Sequence, residues 1–255
     1  MQLLSEHPDL LLMCGNTDVA VRLKKQKEIG GIIDISHLDE FCYIKREPET
    51  IRIGALTTIS DILDDEKVQR YLPLLAAACG VFASRQIRNL ATLGGNIANA
   101  SPAADLSAVL LVLHATVTLG SVGGERCVAL EDLFCGYKCT KLDHEMILSI
   151  NIPLQEHKWY YRKTGTREQL NISKVSLAVA KYGGGYAVSG TSLNPYAVRF
   201  RHLEEVLNSG GVSDEKIEKA LAEDISPSGS FRSTREYRMR VAFNMLKEAM
   251  AKLEA

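Results

Sequence analysis

The sequence predicts an α+β protein in two parts: strands and helices intermixed over about the first 155 residues, then a small antiparallel sheet followed by helices. Three observations carry this. Short apolar runs at residues 10–13 and 31–35 lie beside glycines and read as strands. Paired strand-like runs flank turn-forming residues at Glu47-Pro48-Glu49, at 120–124 and at Gly183-Gly184-Gly185. Beyond residue 200 the pattern turns helical, with breaks at Gly210-Gly211 and at the serine-rich run 226–234.

Taken in order, residues 1–6 begin in what reads as the middle of a helix. Residues 10–13 suit a buried strand feeding a loop, 19–25 carry a helical pattern, and 31–35 suit a second buried strand. This strand–loop–helix–strand unit is too short for a Rossmann fold, and no G-x-G-x-x-G is present. Residues 41–45 and 50–53 form a hairpin, and 58–64 and 72–80 two helices. Pro73 is tolerated in a first turn because its missing N–H has no intrahelical partner there. The polar approach Phe82-Ala83-Ser84-Arg85-Gln86-Ile87-Arg88-Asn89 follows, its arginines serving either surface solvation or contact with a ligand or partner. Next come a helix from Leu106 to Leu113, a hairpin of 116–119 with 127–130, and a strand at 146–152 closed by Pro153. The charged stretch 154–158 marks the domain boundary, so the expected domains are 1–155, with lobes of about 1–46 and 47–155, and 156–255. In the second, 160–163, 174–181 and 186–191 are strands, and 201–208, 214–223 and 235–253 are helices.

One stretch is unusual: Ala91-Thr92-Leu93-Gly94-Gly95-Asn96-Ile97-Ala98-Asn99-Ala100-Ser101-Pro102-Ala103-Ala104-Asp105 contains no aromatic and no long polar side chain. Gly94 and Gly95 permit close approach of a ligand to the main chain and leave amides free to point at it. Asp105 precedes the apolar run and suits a helix start. A loop and a capped helix with no ligand is the plainer reading of the same residues. Upstream, Cys14-Gly15-Asn16-Thr17-Asp18 joins a strand to a helix, an arrangement suited to a pyrophosphate because unpaired amides at a helix start attract anions without any lysine.

The 255 residues carry a formal net charge of −1 with basic residues dispersed, which points to neither nucleic acid nor an anionic membrane. The tightest basic cluster, Arg22, Lys24, Lys25 and Lys27, reads as a solvated helix end. The apolar stretch 106–119 is too short to span a bilayer and is interrupted by His114, and no secretory leader is evident, so a cytoplasmic protein is expected. The six cysteines are Cys14, Cys42, Cys79, Cys127, Cys135 and Cys139, expected as reduced thiols. Cys127, Cys135 and Cys139, even with His144, lack the spacing of a zinc or iron–sulfur site, so no metal is expected.

Residues 91–105 resemble the second flavin-binding loop of the FAD-binding subunits of molybdenum hydroxylases, the xanthine dehydrogenase and carbon monoxide dehydrogenase family, and residues 14–18 resemble the first. The resemblance spans about residues 4–246. It implies a two-subdomain FAD-binding domain of the vanillyl-alcohol-oxidase type, followed by a small C-terminal domain of three antiparallel strands plus helices. It implies non-covalent FAD held by Met13, Cys14, Gly15, Asn16, Thr17, Asp18 and Val19 in the first loop and by Ala91, Thr92, Gly94, Gly95, Asn96, Ala98 and Asp105 in the second. Phe82, Met146 and Ile147 correspond to the adenine surroundings, and Lys163, or its neighbour Arg162, to a basic position near the flavin. Cys14 is expected as a small apolar side chain rather than a redox group. Family members carry an extra strand and helix start before residue 1, so this subunit is either shorter or begins upstream.

The family's enzymes also use molybdopterin and 2Fe-2S clusters, and no four-cysteine cluster motif occurs here, so a molybdopterin-binding large subunit and a 2Fe-2S small subunit are expected as partners. Electrons would then pass from the partner's clusters to FAD and on to NAD or another acceptor, with no acid or base required of this chain. The alternatives are a self-sufficient flavin oxidoreductase, for which Tyr160, Tyr161, Arg162 and Lys163 are the available polar groups, and a scaffold that has lost FAD. The run 226–238 is either a capped loop before the last helix or a contact for a partner subunit.

Overall fold

The structure, a computed structural model, describes residues 1–7, 9–24, 30–167, 172–210 and 212–254. The parts of the sequence reading that fall on Lys25, Lys27 and Gly211 lie outside these residues. A small lobe opens the chain: α1 (Gln2–Glu6), β1 (Leu10–Met13), α2 (Val19–Leu23) and β2 (Gly31–Asp34), with β1 and β2 parallel and Leu10 opposite Gly31. Both strands were expected buried, yet β1 is half-buried throughout and β2 exposes Ile32 and Asp34. A two-stranded sheet leaves one edge of each strand without a neighbour.

The larger lobe holds β3 (Ile44–Arg46), β4 (Thr50–Gly54), α3 (Ile59–Asp64), α4 (Glu66–Tyr71), α5 (Pro73–Gly80), α6 (Arg85–Arg88), α7 (Leu93–Ala98), α8 (Asp105–Val112), β5 (Thr116–Ser121), β6 (Gly124–Ala129), α9 (Leu130–Leu133), β7 (Phe134–Gly136), β8 (Cys139–Thr140) and β9 (Met146–Pro153). Five of its strands make one antiparallel sheet in the order β3-β4-β9-β5-β6, in which Ile51 stands opposite Ile152. β3, placed by sequence in the first lobe, therefore belongs to the larger sheet. Short helices start where the sequence supplies caps: Thr58 accepts from the Asp61 amide, Asp65 from those of Lys67 and Val68, and Ser84 from that of Ile87. The last two caps create α4 and α6, which the apolar pattern alone does not mark. The hairpin β7–β8 brings Cys135 and Cys139 to a Cα separation of 5.4 Å, and they form a disulfide where reduced thiols were expected. Their spacing of four residues spans the hairpin turn, which brings the two sulfurs within bonding reach.

The C-terminal domain is the sheet β10 (Lys158–Thr164), β11 (Val175–Tyr182), β12 (Gly185–Thr191), antiparallel throughout, followed by α10 (Arg201–Asn208), α11 (Asp214–Asp224) and α12 (Arg235–Glu254). Because successive side chains of a strand point to opposite faces, this sheet serves two cores. Val175, Leu177, Val179 and Val188 pack with Phe200, Leu203, Leu246 and the other apolar residues of the three helices, whereas Ala178, Ala180 and Ala187 join the core of the first domain. The small side chains on that second face let α8 lie directly on β11 and β12, and all eight residues of α8 are buried. The seam continues at Tyr182, whose hydroxyl donates to the Val112 carbonyl at 2.7 Å and whose ring stands 5.2 Å from the rings of both His114 and His157. No described helix is long and apolar enough to cross a membrane.

Because Ala180 is fully buried against this seam, Ala180→Leu is expected to destabilise the protein by about 1–3 kcal/mol through overpacking, lowering the thermal midpoint by about 2–4 °C per kcal/mol. A calorimetric scan checks this; an unchanged midpoint would mean that the seam is loosely packed.

Candidate functional site: two glycine segments and a buried ion pair

The two glycine segments, far apart in sequence, meet. A Cβ on Gly15 would lie 1.6 Å from the Leu90 carbonyl oxygen and 3.2 Å from the Ala91 nitrogen, so only glycine allows this part of the first loop to rest on the peptide leading into the second. Asn16 follows with φ 55°, a left-handed conformation that asparagine tolerates better than most residues. Asp18 stands at the N-cap of α2 without using its side chain there, and among the described residues the amides of Asn16, Thr17, Asp18 and Val19 donate to no protein group. Met13 ends β1 and passes its carbonyl to the Ile35 amide at 2.8 Å. Burial pushes the Cys14 thiol up, with smaller contributions from Cys42 and the Asp34 carboxylate, which keeps it protonated.

The second segment is more ordered than the sequence suggests. Instead of a loop of free amides, Leu93–Ala98 is the short helix α7, capped by Thr92, whose hydroxyl accepts from the Gly95 amide at 3.2 Å. The Leu93 and Gly94 amides are spent on the Thr57 and Ala55 carbonyls, at 3.1 and 2.8 Å. Gly94 is a packing glycine: a Cβ there would come within 2.7 Å of the Ala55 Cβ. Gly95 and Ala98 face outward on α7, and the Asn96 side-chain oxygen is buried with no partner. Ala91 is buried, and Ala100 closes the helix in the left-handed region at φ 44°.

Asp105 was expected to open α8, and it is the first residue of that helix, but its carboxylate caps nothing. It accepts from Lys163 Nζ at 2.6 Å and from Ser173 Oγ at 2.5 Å. Both ionic side chains are buried, 5% and 7% exposed. Lys163 also donates to the Val81 carbonyl at 3.1 Å, tying β10 to the turn that carries Phe82. Of the two basic candidates, Lys163 is therefore the one turned to the second segment, whereas Arg162 is exposed and paired with Glu248 of α12. Phe82 is half-buried against the core, and its carbonyl accepts from Arg88 at 2.8 Å. Arg88 thus holds this turn while Arg85 remains at the surface. Met146 and Ile147 start β9 and are 6% and 5% exposed. Met146 borders a cavity of about 490 Å³ that Leu12, Ile33 and Phe41 also line. Burial beside Asp105 raises the Tyr161 phenol well above its usual range, so this hydroxyl stays neutral. Sequence reasoning missed Ser173 and the Leu90–Ala91 peptide, since nothing local marks either as a partner of a loop so distant in the chain.

No group of three or more His, Cys, Asp or Glu side chains among the described residues could hold a metal. His144 is exposed, the surface position that the sequence reading gives it.

The glycine segments of the two-lobed domain thus converge, and that domain docks through small residues onto the sheet-and-helix domain. The family known as the FAD binding domain in molybdopterin dehydrogenase matches residues 1–155, and the CO dehydrogenase flavoprotein C-terminal domain matches residues 160–253; the chain belongs to this family of oxidoreductase subunits, the FAD-binding medium subunits of molybdenum hydroxylases. It is similar to the xanthine dehydrogenase FAD-binding subunit of Escherichia coli O157:H7, with 29% identity over 269 positions that cover all of this chain and 92% of that one. The glyceraldehyde dehydrogenase medium chain of Sulfolobus acidocaldarius is 33% identical, covering 82% of this chain and 78% of its own length. A solved carbon monoxide dehydrogenase from Hydrogenophaga pseudoflava superposes with a TM-score of 0.90 at 28% identity, covering 99% of this chain and 92% of that one.

Removing one member of a buried ion pair strands the other charge. Lys163→Met and Asp105→Leu are each expected to lower the unfolding free energy by about 3–5 kcal/mol, and the double substitution to recover most of that loss, as read by urea denaturation. Additive losses in the double variant would refute the coupling.

Proposed function

We propose that this chain binds FAD non-covalently between its two glycine segments and serves as the electron-transfer flavoprotein of a molybdenum hydroxylase complex. The observation that carries the reading is the seating of Gly15 on the Leu90–Ala91 peptide, which leads into α7, together with the four amides that follow Gly15, those of Asn16 to Val19, uncommitted among the described residues. Oriented amides at a helix start suit a dianionic diphosphate. The partnerless Asn96 oxygen is an acceptor for a ribityl or ribose hydroxyl, so the donor and acceptor set fits the cofactor.

Met13, Cys14 and Gly15 shape the floor of the first segment, and Asn16, Thr17, Asp18 and Val19 supply its amides. Ala91, Thr92, Gly94, Gly95, Asn96 and Ala98 form the facing segment, in which Thr92 fixes the turn and Gly95 offers a surface free of side chain. Phe82, Met146 and Ile147 supply apolar surface to the adenine. Asp105 and Lys163 neutralise each other and hold the C-terminal sheet against the site, so that its polar wall is fixed before the cofactor arrives.

When bound, FAD supplies the redox centre at which electrons arriving singly from 2Fe-2S clusters are paired and passed to NAD or another acceptor. Those clusters and the molybdopterin cofactor reside on a small and a large partner subunit in this reading. The family resemblance supports both. Its setting would be the cytoplasm.

Gly95→Leu is expected to abolish the visible flavin absorbance of the purified chain while leaving its far-ultraviolet circular dichroism unchanged; its Cβ would displace the Thr92 hydroxyl 2.9 Å away, so the thermal midpoint falls by no more than a few degrees. Stoichiometric FAD in that variant would reject the second segment as a diphosphate cradle. A wild-type protein that stays colourless after incubation with FAD would reject the reading altogether.

A further inference from the structure

The disulfide hairpin reaches the first glycine segment. Lys138 lies inside the five-residue ring closed by Cys135 and Cys139, and its ammonium stands 3.9 Å from the carboxylate of Asp18. Asp18 is one of the residues whose amides the FAD reading assigns to the diphosphate, and in that reading its negative charge would oppose the approach of a dianion. We propose that Lys138 is an FAD-positioning residue, neutralising Asp18, and that the Cys135–Cys139 bond is a reversible thiol–disulfide site controlling its presentation. This rests on the FAD reading above.

The covalent ring and the backbone conformation are linked. Lys138 has φ 52°, in the left-handed region that costs a side-chain-bearing residue free energy unless its surroundings impose it. A cross-link over so few residues restricts the turn to conformations that close the ring, and opening it restores freedom to relax Lys138 to negative φ. Phe134, 4% exposed, and the bond from the Lys141 amide to the Leu133 carbonyl at 2.8 Å anchor the base of the hairpin, which confines the change to its tip. Both cysteines are exposed, as attack by an external thiolate requires. With a dithiol as reductant, the Cys135–Cys139 bond breaks and both sulfurs end as thiols. The reductant's two sulfurs join to each other, having supplied the two electrons and two protons.

The Lys138–Asp18 pair is exposed on both sides, so its effect is modest and falls with ionic strength. The test begins with thiol titration of the denatured full chain: four thiols are expected after air oxidation, those of Cys14, Cys42, Cys79 and Cys127, and six after dithiol treatment. FAD titration at low salt is expected to give a dissociation constant about two- to fivefold higher for the reduced chain and for Cys139→Ser than for the oxidised chain. Lys138→Gln should raise it by the same factor and remove the dependence on redox state, whereas Lys138→Arg should retain tight binding. Six thiols in the air-oxidised protein, or equal FAD affinity in oxidised and reduced chains that both bind, would overturn the inference while leaving the FAD reading intact. No FAD binding in any state would overturn that reading and this inference with it.

Discussion

The buried pair between Asp105 and Lys163 is the interaction on which the arrangement depends. Each charge is removed from water, and each is tolerable because the other is present and further hydrogen bonds come from Ser173 and the Val81 carbonyl. One partner opens the helix that follows the second glycine segment, and the other lies on the first strand of the C-terminal domain. Domain docking and the shape of the site are therefore one problem with one electrostatic solution. Where the apolar seam of Ala178, Ala180 and Ala187 supplies area without direction, this pair supplies position.

That division of labour explains the composition of α8. A helix buried on every side needs no polar face, and Leu106, Val109, Leu110 and Val112 contact neighbours all round. Its one charge is at the end that meets Lys163. At its other end Tyr182 closes the seam on the Val112 carbonyl. The C-terminal domain is thereby fastened to both ends of α8.

Much of this was legible in the sequence because the signals are local. Ser213 caps α11 by accepting from the Lys216 amide, Pro73 opens α5, and Gly183-Gly184-Gly185 joins β11 to β12. The Gly94-Gly95 pair marked the second segment but not the roles of its members. One glycine packs on Ala55 and the other faces outward, and only the residue that follows β4 distinguishes them. The partner of Asp105 and the contact between Gly15 and Leu90 were not legible, since each depends on where the chain returns in space, and the disulfide was not because its hairpin turn carries no apolar pattern. Lys163 and Asp105 lie 58 positions apart, a separation that no periodicity encodes.

The strand order of the large sheet has a consequence for biogenesis. β4 lies between β3 and β9, and Arg52 on β4 bonds to Asn151 on β9, 99 positions later. The central ladder, and with it the backing of the second glycine segment, closes only once the last strand of the first domain has emerged from the ribosome. Until then β4 carries an open edge rich in isoleucine, the kind of surface that chaperones recognise. Any group held between the glycine segments would accordingly be loaded only after residues 146–153 have been made.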